Sequence, residues 1–148
     1  MTTRIALLLG FTLILASAPA RTAGAEAVHA RPDDAKLQWG PCPPIFPKGC
    51  ELAVLHGDPA KDDADVFLRV PAGYVIPAHR HTSPERMVLV AGELEVTYAG
   101  EAPLTLRVGT YAYGPAKVPH VARCASREPC VLFIAFVSAV DAEPAEMK

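Results

Sequence analysis

From Glu51 onward the chain runs as short apolar-polar segments broken by turn residues, and that punctuation constrains its fold more than any other feature. The segments are Glu51–His56, Val66–Val70, Tyr74–His79, Arg86–Ala91, Glu93–Tyr98, Leu104–Val108, Thr110–Tyr113, Val118–Ala122 and Val131–Val137. Gly57-Asp58-Pro59, Pro71-Ala72-Gly73, Gly109 and Gly114 interrupt them, and Gly92 stands where a tight hairpin turn belongs. These residue types supply the backbone angles that turns require. No stretch shows sustained helical periodicity with capping signals. The pattern predicts an all-β domain, a barrel or double-sheet jelly roll, from Trp39 to about Val140. Residues 26–38 are short of large apolar side chains and read as a flexible leader. Trp39 and the Pro41–Cys50 loop read as an irregular flap, and residues 141–148 as a loose C-terminal tail.

Chemistry concentrates in the run Gly73–Gly92. His79 and His81 are two residues apart, so on a strand they share a face about 6.5 Å apart along the chain. Two imidazoles so placed can converge on one metal ion, which needs nitrogen about 2.1 Å away. Glu85 follows the Thr82-Ser83-Pro84 turn and can return as an oxygen ligand, and His120 supplies a third imidazole. Burying these groups in an apolar barrel without a cation would leave a carboxylate expensive to desolvate. His79, His81, Glu85 and His120 are therefore the expected ligands of one divalent transition metal: iron, manganese, nickel or zinc. Zinc fits if Glu85 stays unbound, since three imidazoles plus water give its tetrahedral catalytic pattern. His29 and His56 read as ordinary surface histidines.

Strand parity carries the reading further. Val75 and Pro77 should share the inward face of His79, Met87 and Leu89 that of Glu85, and Val118 and Ala122 that of His120. The site would border an apolar pocket with few acids or bases. Tyr74, Tyr111 and Tyr113 are the candidate polar handles.

The two stretches resemble the motifs of the cupin superfamily. Gly73, His79, His81, Glu85 and Gly92 match G-x5-H-x-H-x3,4-E-x6-G without a departure. Gly109, Pro115 and His120 match G-x5-P-x-G-x2-H-x3-N, with Lys117 where that motif has glycine and Cys124 where it has asparagine. The resemblance implies a small single-barrel cupin, and spans about Leu52 to Val137 once the strand-like flanks are included. If the turn before His120 needs a positive φ at Lys117, a non-glycine residue costs on the order of 1 kcal/mol there.

Arg4 precedes an apolar run from Ile5 to Ala18, too short for a membrane span of roughly 20 residues. Ala18-Pro19-Ala20 and Ala23-Gly24-Ala25 follow as small-residue cleavage sites, so residues 1–25 read as a secretory signal peptide. Cleavage after Ala25 removes two of the 14 basic residues and none of the 16 acidic ones, so the mature formal charge is 12 − 16 = −4. With no block of like charge, nucleic acid and anionic membranes are poor partners. A periplasmic or secreted protein fits better, without membrane insertion after processing, and a homodimer is an open assembly. The four cysteines fall into local pairs, Cys42 with Cys50 and Cys124 with Cys130, though three connectivities are formally open. Cys124 and Cys130 flank an Ala-Ser-Arg-Glu-Pro turn between apolar runs and could face each other across a hairpin. Each local loop would stabilise the fold by roughly 2–3 kcal/mol.

Two functional classes follow. One is an exported mononuclear metalloenzyme, oxygenase-like or hydrolytic, acting on a small molecule; a dioxygenase-like oxidoreductase heads that class. The other is a noncatalytic module that binds or senses a metal or small ligand. Cupin resemblance implies both kinds of activity, and fold alone does not choose between them.

Overall fold

The computed structural model describes residues 27–148, so the expected signal peptide lies outside the described residues. Every regular element among them is a strand: β1 (Trp39–Pro41), β2 (Glu51–His56), β3 (Ala64–Val70), β4 (Val75–Arg80), β5 (Glu85–Ala91), β6 (Glu93–Tyr98), β7 (Leu104–Arg107), β8 (Tyr111–Gly114), β9 (His120–Cys124), β10 (Cys130–Phe136) and β11 (Glu143–Pro144). They form two antiparallel sheets, ordered β1-β2-β3-β10-β5-β8 and β11-β4-β9-β6-β7. This is a double-sheet jelly roll. No helix of the described residues is long and apolar enough to cross a membrane.

From β3 to β6 each successive strand lies in the opposite sheet, and β8, β9 and β10 alternate likewise. Two expected hairpins are therefore absent. Gly92 is not a hairpin turn but the corner where the chain leaves β5 for β6 in the other sheet. Its φ is +82°, and a Cβ there would lie 2.8 Å from both Cys130 Sγ and Ser126 Oγ. Glycine is needed at this corner for its backbone angle and for room. Cys124 and Cys130 end β9 and begin β10, which belong to different sheets, so their disulfide ties sheet to sheet at the same corner. The second disulfide joins Cys42 to Cys50, as the local pairing predicted.

The main core lies between the sheets, where Val66, Leu68, Val70, Leu89, Leu94, Val96, Leu132 and Ile134 interdigitate. The outer face of the larger sheet is also apolar at Ala53, Phe67 and Val131, and it is covered. Ala30 and Leu37 of the expected flexible leader pack there, as does Trp39. The Trp39 ring carries the Arg69 guanidinium at 3.9 Å, and Arg69 also pairs with Glu51. The flap is likewise more regular than expected, because Trp39–Pro41 pairs with Glu51–Ala53.

The C-terminal segment departs furthest from expectation. Glu143 and Pro144 pair with Arg80 and His79, and the Ala145 amide donates to the Ala78 carbonyl. Ser83 Oγ accepts from the amides of Val137 and Ser138, while the Asp141 carboxylate accepts from the Thr82 amide and hydroxyl. Residues 137–145 thus form a strap across β4 and the following turn rather than a loose tail.

Candidate metal centre

β4 and β9 place two histidines directly opposite one another. His79 pairs with His120, and His120 pairs on its other side with Tyr98 of β6. One row across the smaller sheet therefore carries two imidazoles and a phenol. His81 follows the end of β4, and Glu85 begins β5 in the facing sheet. The sheet-to-sheet crossing through Thr82–Pro84 brings these two, four residues apart, face to face, with His81 Nε2 3.3 Å from Glu85 Oε1. His120 Nε2 lies 3.6 Å from Glu85 Oε2. One ring nitrogen from each of His79, His81 and His120 lies within 4.8 Å of the others, and the three could hold a metal ion. All four residues expected from the sequence are thus in one place, though Glu85 stands beside His81 and His120 and is not part of the tight nitrogen triangle.

The inward parity expected from Glu85 is met: Met87 and Leu89 are buried with it. Ala122 is buried with His120, and Val118 packs partly buried against the same core. On β4 the expectation fails, because Val75 is exposed and Ile76 is buried instead. The pairing of β4 with β9 shifts register between Ile76 and His79. One extra residue on β4 flips the strand's alternation, so His79 shares a face with Ile76 and not with Val75. Pro77 stands within that bulge, where its missing amide hydrogen costs no ladder bond.

Each imidazole is oriented by a backbone carbonyl. His79 Nδ1 faces the Pro77 carbonyl at 2.7 Å, His81 Nδ1 that of Asp141, and His120 Nδ1 that of Val118 at 3.3 Å. A carbonyl can only accept, so Nδ1 carries the proton and donates, leaving Nε2 as a lone pair aimed inward. Such outer bonds are what orient metal-binding histidines. The three histidines and Glu85 are 4–7 % exposed. Burial, followed by the neighbouring His120, holds the His79 pKa down to about 3. Burial likewise holds His120 down to about 4. These rings are neutral near pH 7, the form that binds metals. Glu85 is pushed upward by burial, with the charge of His81 opposing.

The donor set fits a divalent metal. With Nδ1 committed to a carbonyl, His81 Nε2 faces a carboxylate oxygen at 3.3 Å, a contact that is favourable only with a proton or cation between the two. His81 Nε2 and Glu85 Oε2 are buried without a hydrogen-bond partner among the described residues. Few buried polar atoms in folded proteins are left in that condition. The cluster suggests a divalent metal site.

The site opens onto a cavity of about 50 Å³ between the sheets, walled by Leu68, Ile76, Leu94, Leu106, Leu132 and Phe136 among others. Phe46 of the disulfide-closed flap meets the His79 ring edge-on at 5.0 Å, and Val140–Ala142 of the strap line the same space. The candidate handles are elsewhere. Tyr111 and Tyr113 are exposed, and the Tyr74 hydroxyl donates to the Pro47 carbonyl. The tyrosine at the site is Tyr98, whose ring centroid is 5.2 Å from that of His120. Its signal was present in β6, where Leu94, Val96 and Tyr98 alternate with Glu93, Glu95 and Thr97. Burial, then the charge of Glu85, raises the Tyr98 pKa, so the phenol keeps its proton. The turn before His120 does adopt a positive φ, 64° at Lys117, and its amide donates to the His81 carbonyl.

A jelly-roll barrel with three inward imidazoles on and beside adjacent strands defines a cupin. The family model for the ChrR cupin-like domain matches residues 28–139, and the chain belongs to that family. No curated protein matches the chain by sequence. Among solved structures it is similar to the DMSP lyase DddQ from Ruegeria pomeroyi DSS-3, at 21 % identity and TM-score 0.63, over 76 % of this chain and 62 % of the lyase. An RmlC-like cupin from Shewanella frigidimarina NCIMB 400 is similar at 20 % identity and TM-score 0.58, over 71 % of this chain and 86 % of that one. A variant of oxalate decarboxylase from B. subtilis aligns at 18 % identity and TM-score 0.56, over 68 % of this chain and 29 % of the enzyme. These likenesses establish the shared fold.

Proposed function

We propose that the chain is an exported single-domain cupin that binds one divalent transition metal through His79, His81, Glu85 and His120 and acts on a small molecule beside it. The observation that carries the reading is the convergence of three imidazole nitrogens and a buried carboxylate, with two of those atoms lacking any hydrogen-bond partner among the described residues. Nitrogen-rich mixed donors favour a transition metal over calcium or magnesium. Bound there, the metal would supply a Lewis-acid centre that polarises a ligand oxygen. The chain's own part is to hold His79 and His120 neutral and all three imidazoles oriented, to exclude bulk water with Phe46 and the strap, and to offer an apolar wall to the rest of the ligand. Similarity to a lyase and a decarboxylase supports an enzyme acting on a small molecule. Two disulfides point to an oxidising compartment, which supports export.

The test is metal analysis of protein purified natively from the exported fraction. About one equivalent of a transition metal is expected per chain in the wild type and in His56→Ala, with His120→Ala strongly depleted. Equal metal content in all three proteins refutes the ligand assignment.

A further inference from the structure

Tyr98 is the one polar side chain at the site whose role the metal reading leaves open. Its hydroxyl is buried and has no hydrogen-bond partner among the described residues. An unpaired buried hydroxyl is costly, and a phenylalanine would fill nearly the same volume without that cost. Tyr98 also lies in register with His120, which in turn faces His79, so its hydroxyl borders the place where the imidazole lone pairs converge.

Gly114 points the same way. Its φ is not among the positive ones, so its backbone does not require glycine. A Cβ at Gly114 would come within 3.1 Å of both Glu85 Oε2 and the Tyr98 hydroxyl. Glycine here therefore lets Glu85 Oε2 and the Tyr98 hydroxyl, both without hydrogen-bond partners among the described residues, keep their positions uncrowded. Most of the remaining cavity wall is aliphatic or aromatic, and about 50 Å³ is room for only a few water-sized groups.

We propose that Tyr98 is the ligand-facing hydrogen-bond donor of this site, and that the ligand is a small carboxylate with a short apolar remainder. This rests on the metal reading above. A carboxylate held beside the metal presents oxygen lone pairs, to which a phenol donates; the remainder of the molecule meets Leu94, Leu106 and Leu132. The narrow cavity limits the length of that remainder.

The experiment uses the mature chain loaded with Co(II), titrated with acetate and followed through the cobalt visible absorption. Cobalt affinity is measured first, before acetate is added. The wild type should bind cobalt and then acetate. Tyr98→Phe should keep the cobalt affinity and bind acetate about tenfold or more weakly, the range for losing a hydrogen bond to a charged acceptor. Gly114→Ala, which removes no donor, should weaken acetate as well by crowding the Tyr98 hydroxyl out of position. Tyrosine difference absorbance in the wild type, appearing with acetate, reports the phenol directly even if a variant folds poorly. Wild-type protein that binds cobalt but not acetate, or Tyr98→Phe with undiminished acetate affinity, overturns the role of Tyr98. Wild-type protein that takes up no cobalt overturns the metal reading, and this inference falls with it.

Discussion

His81→Ala is the perturbation that most directly tests the site, because His81 faces Glu85 with one nitrogen and holds the strap with the other. In the metal-free protein two effects compete. The lost bond to the Asp141 carbonyl costs about 1 kcal/mol, and a partly filled hole adds to it. Removing a lone pair from the neighbourhood of Glu85 offsets part of that, so the apo variant should fall by about 1–2 kcal/mol. Metal changes the comparison. At a free concentration a hundred times its dissociation constant, a metal that binds only the folded state stabilises by about 2.7 kcal/mol. For a domain of this size that corresponds to roughly 10 °C in Tm. Thermal melts with chelator, and again with cobalt or zinc, should show a rise of about that size for wild type and for His56→Ala. His81→Ala should show almost none. Hydrogen exchange should meanwhile quicken across residues 137–145, because the strap loses its tie to the site. An unchanged metal-induced rise in His81→Ala would refute the reasoning, since it would mean His81 is not a ligand.

Acidification should destabilise the metal-free protein. His79 and His120 are held to about 3 and about 4 when folded, below the ordinary 6.5, so the unfolded chain binds more protons in that interval. Their contribution is complete above 6.5 and is lost as pH falls towards 4. Glu85, raised by burial, works in the opposite direction, but two histidines against one carboxyl leave a net loss; urea midpoints that rise from pH 7 to pH 5 in chelator would contradict this. Replacing Cys124 and Cys130 together by alanine should cost about 2–3 kcal/mol while leaving metal content intact, because the bridge lies at the far end of β9 from His120; loss of metal from a folded variant would count against that separation. Lys117→Gly should leave stability within about 0.5 kcal/mol, relief at φ 64° being matched by unfolded-state entropy, whereas Lys117→Val should destabilise by more than about 1 kcal/mol. Equal urea midpoints for the two variants would show that the turn relaxes.

The barrel and its four-residue cluster were legible because the information is local. The strands alternate between sheets, so a histidine and a glutamate four residues apart end up facing each other across the barrel. Spacing along the chain therefore reports a tertiary contact. The same crossing hid what Gly92 and the Cys124–Cys130 bridge do, since turn residues between two strands look alike whether the strands pair or separate. Parity failed on β4 for a different reason: a bulge is one inserted residue, and nothing in Val75-Ile76-Pro77-Ala78 beyond the proline announces it. The strap was least legible. Asp141 reaches His81 across 60 residues, through a backbone carbonyl whose donor no side-chain pattern reveals.

The arrangement also explains why the cluster is coherent without an ion pair to each histidine. Three carbonyls fix the imidazoles from outside, and among the described residues Glu85 is the carboxylate that pairs with them. Burial raises its pKa, so in the metal-free state a proton can take the place between Glu85 and the imidazoles. A divalent metal competes for that same place, and its uptake should release protons in the pH range where the apo site holds them. The carbonyl acceptors of this frame come from three separate segments: the β4 bulge, the turn before β9, and the strap. Metal affinity is therefore tied to backbone placement as much as to the ligands themselves. That dependence puts Pro77, Val118 and Asp141, none of which offers a side-chain ligand in the nitrogen cluster, among the positions on which the centre rests.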